Sequence, residues 1–208
     1  LKAALTALGV DAGRLDVVLM QMVRLVRGGE VIKASKRSGK AITLVTLLDE
    51  VPIDAARFFF NLREANSHFD FDLDLAVEES AQNPVYYVQY AHARICSIGR
   101  MLKQEGITPC KTADCDFSLL CAEEEKALVR FLARLPQEII DAAKDYDPAK
   151  LTRYAVELAT MFHKFYNACR VKCGEEKMMN ARYALCMAVK QTLFNVLSLL
   201  KITAPDAM

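Results

Sequence analysis

Residues 83–106 read NPVYYVQYAHARICSIGRMLKQEG, and the reading of this stretch decides the fold. Asn83 is a good N-cap, and Pro84 suits the first helical position, where no amide hydrogen is needed. Val88, Ala91, Ile95, Ile98 and Leu102 recur at alternating spacings of three and four, the apolar stripe of a helix laid against a core. The helix is predicted to run to about Glu105 and stop at Gly106. The same grammar repeats toward the C-terminus. Residues 107–116 read as a loop, Ala122–Arg134 as a helix, and a third helix follows the break at Pro136 and runs to about Lys144. Asp147-Pro148 opens a long helix predicted to reach about Lys172, with Gly174 closing it. A last helix spans about Glu176–Lys201 and gives way to Ala204-Pro205. Five helices with short connections predict a bundle.

Toward the N-terminus the pattern changes. The apolar run of residues 15–26 and Val31-Ile32 flank Gly28-Gly29, which reads as a hairpin, with a helix for the first run left open. A short helix ends at Asp49-Glu50, and Ile53–Leu62 reads as another begun at Pro52. Ser67–Leu75 (SHFDFDLDL) alternates apolar and acidic, the period-two pattern of a strand with one buried face. The fold class expected is therefore mainly α: a mixed first part with a small hairpin, then an all-helical bundle. A boundary is placed near residue 76, giving units 1–75 and 76–208.

Composition fits this picture. Of 208 residues, 53% are hydrophobic and 25% charged, a globular profile that argues against disorder, and no apolar run is long enough to span a membrane. The net charge of +1 announces no polyanionic partner in bulk. Its distribution is uneven, with +5 over residues 1–48, −7 over 49–80 and +5 over 148–208. Seven cysteines, odd in number and irregularly spaced, fit a reducing, cytoplasmic setting better than a disulfide framework. Cys169 and Cys173 lie four apart and would share a helix face, with Cys186 a candidate neighbour; buried thiols are the expectation there, and no metal is expected. The chain opens Leu1-Lys2-Ala3-Ala4, which reads as a piece of something longer or a processed chain.

Two features carry chemistry. Lys33-Ala34-Ser35-Lys36-Arg37-Ser38-Gly39-Lys40 sets four cations in eight residues beside small side chains, which suits either a loop closing over phosphate or a solvated basic turn. On the helix from Pro84, Tyr86 and Tyr90 fall roughly 120–160° from the centre of the core stripe, with Arg94 and Ser97 on their side. Two tyrosines and an arginine there are either a base-stacking platform or packing against a neighbouring helix. His92 lies nearer the stripe and reads as a structural histidine. Tyr154, Leu158, Phe162, Phe165 and Cys169 form the stripe of the long helix, with Tyr166 at its edge and His163 and Lys164 on the surface side. Arg170, Lys172, Lys177 and Arg182 suit phosphate contacts or ordinary solvation equally.

Lys33-Ala34-Ser35-Lys36-Arg37 resembles the Lys-Met-Ser-Lys-Ser signature of class I aminoacyl-tRNA synthetases. Its surroundings resemble the bacterial arginyl-tRNA synthetase family: QMVRLVRGGE (21–30), KASKRSGKAITL (33–44), DAARFFF (54–60), SHFDFDLDLA (67–76), NPVYYVQYAHAR (83–94), then FHKFYNACRV (162–171) and KITAPDAM (201–208). The resemblance implies an arginine–tRNA ligase that activates arginine with ATP and magnesium and passes it to tRNA. It implies a C-terminal portion, the tail of a Rossmann-like class I catalytic domain followed by an anticodon-binding bundle. By motif position Lys36 is the main catalytic and ATP-phosphate residue, Lys33 assists, and Ser35 shapes the ATP loop; Ala34 departs from the usual Met. Tyr90, Arg94, Tyr166 and Met208 are the implied tRNA contacts, although residues alone would leave Met208 frayed. The family's His-Ile-Gly-His signature is absent, so this chain by itself is expected to be inactive and to hold no cofactor. The implied partners are the arginine tRNA and, for the intact enzyme, ATP and arginine, with no membrane and a monomeric state. The alternatives are a non-catalytic RNA-binding helical module and a helical protein-interaction domain.

Overall fold

The structure is a computed structural model that describes residues 1–32 and 43–208. The basic loop, with Lys33, Ala34, Ser35, Lys36 and Arg37, lies outside the described residues. Chain order is α1 (Lys2–Ala7), β1 (Val23–Arg27), β2 (Glu30–Val31), α2 (Leu44–Glu50), α3 (Ile53–Phe60), β3 (Phe69–Asp72), α4 (Leu73–Val77), α5 (Pro84–Gln104), α6 (Glu123–Leu132), α7 (Leu135–Lys144), α8 (Ala149–Ala168) and α9 (Glu176–Leu199).

The hairpin forms where Gly28-Gly29 predicts it. Both glycines take positive φ, +57° and +80°, the conformation a two-residue turn between twisted strands requires. Val26 pairs with Val31 across it. Only the end of the long apolar run, from Val23 onward, is strand, because there it pairs with β3 in parallel, joined by β2 antiparallel at Val26 and Arg27, in the order β2-β1-β3. The preceding Val17, Val18, Leu19, Met20 and Met22 are irregular and exposed.

The alternating SHFDFDLDL is a strand only as far as Asp72. There the carboxylate accepts from the amides of Asp74 (3.0 Å) and Leu75 (3.1 Å), and the chain turns into α4. Each acid of the belt has its own task. Asp70 takes a bidentate pair from Arg24, its register partner on β1, and Asp74 accepts from the turn amide of Gly28 at 2.7 Å. Phe71, fully buried, packs against Phe59 and Phe60 of α3 with ring centroids 5.3 and 5.0 Å apart.

The five helices α5–α9 make the bundle. The stripe Val88, Ala91, Ile95, Ile98 and Leu102 is buried throughout, as is Tyr154, Leu158, Phe162 and Phe165 on α8. Asn83 caps α5 through Val85 N (3.2 Å), and its amide donates to Ala76 O (3.3 Å) and Glu78 O (2.9 Å), tying α4 to α5. Glu125, 1% exposed, accepts from Ala122 N at 2.8 Å and from Arg182 Nε at 2.7 Å. Arg182 is thus committed to α6 and to Arg170 O (2.9 Å), and Lys172 pairs with Glu105, so neither is the free cation the sequence allowed.

The long helix ends at Ala168, short of the expected Lys172. Cys169 and Val171 are buried while Arg170 faces out, so the segment has switched to an extended alternation that places two apolar side chains into the core. Cys169 and Cys173 therefore do not share a helix face. Among the described residues no helix is long and apolar enough to cross a membrane.

Candidate nucleic-acid interface

Three pieces of chain build the candidate site: the outer face of α5, the edge of α8, and the tail after α9. The i, i+4 spacing on α5 stacks Tyr86 on Tyr90, with centroids 6.3 Å apart and planes 7° from parallel. Arg94, one turn further, reaches across to α8. Its guanidinium carbon lies 4.2 Å over the Tyr166 ring and 5.9 Å from that of Tyr90. Tyr166 is half-buried at the stripe edge, as its spacing predicts, resting on Phe162.

The tail is held rather than frayed. Lys201 takes φ +57°, turning the chain back toward α5, and Arg57 grips its carbonyl oxygen. Gln89 donates to Thr203 O (2.9 Å), His92 Nδ1 to Pro205 O (2.8 Å) and Arg100 to Asp206 O (2.8 Å). The Cys96 thiol donates to the Asp206 carboxylate at 3.1 Å, and Lys190 lies 3.6 Å from the same oxygen. The thiol hydrogen bond, then the lysine charge, hold Asp206 below the usual carboxylate range. Burial pushes the Cys96 thiol up. Since a carbonyl oxygen can only accept, His92 carries its proton on Nδ1, and its buried Nε2 has no partner among the described residues. The structural histidine is therefore only half satisfied. His92, Cys96 and Asp206 have polar atoms within 4.8 Å of one another, a spacing that admits a metal ion. Nδ1 is already spoken for by Pro205, and the Lys190 ammonium at Asp206 opposes a second cation, so the donor set fits a tail latch better than a metal.

Tyr90, Arg94, Tyr166 and Met208, the four candidates for RNA contact, line one open concavity of about 340 Å³ with Ser97 and Arg100. Tyr90 and Arg94 also form one wall of a second hollow of about 440 Å³, completed by Tyr86, Tyr87, His163 and Asn167. Tyr166 continues into a third of about 580 Å³ that ends at Arg170 and Lys172. Together they make one groove with aromatic walls and cations along it. Sequence reasoning placed His163 on the surface. It is instead half-buried, 5.0 Å from the Tyr87 ring and 6.0 Å from Tyr90, with Nε2 unpartnered among the described residues. Burial, then the charge of Arg94, lowers its pKa. The signal that could have found it is its i, i+3 relation to Tyr166. Arg100, further along α5 than Arg94, is absent from the candidates because only the folded tail brings Asp206 and Met208 to it.

A helical bundle behind a small mixed sheet is a fold that superposes on solved arginyl-tRNA synthetases. A Campylobacter jejuni chain solved under that description superposes with a TM-score of 0.85 at 30% identity, covering all of this chain and 44% of its own. The Thermus thermophilus arginyl-tRNA synthetase gives 0.78 at 26% identity, covering all of this chain and 38% of its own. Residues 88–208 match the DALR anticodon binding domain, and the chain belongs to that family. Along its full 208 residues it is 54% identical to the arginine–tRNA ligase of Caldanaerobacter subterraneus subsp. tengcongensis, and it spans 37% of that relative's length.

Proposed function

We propose that this chain is the part of an arginine–tRNA ligase that grips the anticodon arm of the arginine tRNA, and that it also supplies a phosphate loop to ATP. The observation that carries the first half is the convergence of Tyr90, Arg94, Tyr166 and Met208 on one concavity, from three separate pieces of chain. Such a groove suits single-stranded bases. An unstacked base finds π-faces at Tyr90 and Tyr166, the guanidinium of Arg94 lies between them for a base edge or phosphate, and the thioether of Met208 supplies a soft apolar wall. Arg100 and Arg170 extend the cationic run for the flanking backbone.

In this reading residues 1–75 belong to the catalytic domain and 76–208 to the anticodon-binding domain. Lys36 and Lys33 would meet the ATP phosphates as charge builds on the pyrophosphate leaving group, with Ser35 shaping the loop. A cation placed there stabilises the transition state more than the ground state. The chain lacks a His-Ile-Gly-His motif, so arginine-dependent exchange of pyrophosphate into ATP is expected only from a longer protein.

Binding of the arginine tRNA to the 208-residue chain tests the reading. Affinity should fall steeply with salt, and Tyr166→Ala should weaken it by about 1–3 kcal/mol. Salt-independent binding, or a Tyr166→Ala chain that binds as the parent does, would remove RNA from the groove.

A further inference from the structure

The segment joining α5 to α6 crosses α9 and brings two thiols together. The Sγ atoms of Cys110 and Cys115 are 3.3 Å apart, within van der Waals contact. Hydrogen bonds of the backbone hold the two residues beside each other. Cys110 N donates to Oδ1 of the buried Asn180 on α9 at 3.2 Å, and the turn Thr112–Asp114 folds the residues between. Cys115 N donates to Thr112 O at 3.3 Å. Cys115 Sγ also approaches Lys111 O (3.5 Å) and Asn180 O (3.6 Å). Cys110 is exposed and Cys115 half-buried. The remaining thiols are otherwise engaged or enclosed: Cys96 with Asp206, Cys121 with Ser118 O at 3.2 Å, Cys173 with Glu175 O at 3.5 Å, and Cys169 and Cys186 in the core.

We propose that Cys110 and Cys115 form a reversible dithiol–disulfide site whose oxidant is a peroxide. Exposure assigns the roles. Cys110 Sγ attacks a peroxide oxygen, the O–O bond breaks, and the departing hydroxide takes up the thiol proton as water, leaving a sulfenic acid. Cys115 Sγ attacks that sulfur, and its proton leaves with the sulfenic hydroxyl as a second water. The sulfur pair loses two electrons and the peroxide gains them. Desolvation pushes the Cys115 thiol up to about 11, which keeps it protonated and leaves the first attack to Cys110. The bond draws the sulfurs from contact to about 2.05 Å and removes the proton that Cys115 directs at Asn180 O, so oxidation alters how the segment sits on α9.

The 208-residue chain is treated with equimolar hydrogen peroxide, alkylated and digested with trypsin without reduction. The expected product is peptide 104–111 linked to peptide 112–126, lighter than their sum by two hydrogens, released by dithiothreitol and retained in Cys121→Ser. Cys115→Ser should instead leave a sulfenic acid at Cys110 that dimedone captures. Alkylated Cys110 and Cys115 in a chain whose other cysteines have reacted would overturn the proposal. So would a link that disappears in Cys121→Ser, or a Cys115→Ser chain with no dimedone adduct at Cys110.

Discussion

Replacing Arg94 with alanine separates the groove's two uses of one side chain. In the folded chain the guanidinium carbon lies 4.2 Å over Tyr166 and 5.9 Å from Tyr90. Two cation–π contacts at half-exposed positions are worth about 0.5–1 kcal/mol each, so Arg94→Ala should lower stability by about 1–2 kcal/mol. For a chain of this length that is a fall in Tm of about 2–8 °C. On RNA the proposed function predicts a larger loss, because in that reading the guanidinium also meets a base edge or phosphate, a contact worth about 1–3 kcal/mol. The anticodon stem-loop of the arginine tRNA should therefore bind about 5- to 150-fold more weakly. Fluorescence anisotropy at several salt concentrations measures it. Arg94→Lys keeps the charge but loses the planar face between the two rings, so it should retain the parent's salt slope without its affinity. If Arg94→Ala is folded and binds within about twofold of the parent at every salt concentration, the guanidinium is packing for the tyrosines and nothing more.

Glu125→Ala leaves the Arg182 guanidinium, 16% exposed, without its carboxylate and frees the Ala122 amide; a cost of about 3–5 kcal/mol should appear in thermal melts as a fall of about 6–20 °C. Asn83→Ala removes a cap and two carbonyl contacts at the α4–α5 joint, which should show as about 1–3 kcal/mol in urea titrations. His163 titrates below its ordinary 6.5 in the folded chain because burial and Arg94 oppose the charged ring. The unfolded chain then takes up that proton first as pH falls. The stability tied to His163 is complete above about pH 6.5 and declines below it, and melts of His163→Gln should lack that part of the decline. Equal slopes for parent and variant would show that the ring is not the group responsible.

Local patterns were legible wherever one element's own periodicity settled the matter. Asn83-Pro84 and Gly106 bound α5, the three-and-four stripe named its buried face, and Gly28-Gly29 announced the hairpin, because capping, helical spacing and positive φ are properties of a few neighbouring residues. Where a residue's role depended on a distant partner, the pattern misled. Asp72 ends a strand that the alternation would have continued, Cys169 and Val171 leave the helix to fill the core, and Arg182 is bound to Glu125. The groove shows the same division. Helix periodicity placed Tyr90 and Arg94 off the core stripe and Tyr166 at a stripe edge, and the family resemblance made them candidates, but His163 is drawn into the wall by Tyr87 and Tyr90, and Met208 reaches it only because Asp206, Pro205 and Thr203 are each held against α3, α5 or α9. Sequence by itself determines which faces are apolar and where helices start, since those follow from short-range geometry. Which polar side chains meet across the bundle, and so where a base could lie, depends on contacts more than a hundred residues apart in the chain, and only the packed tertiary structure decides them.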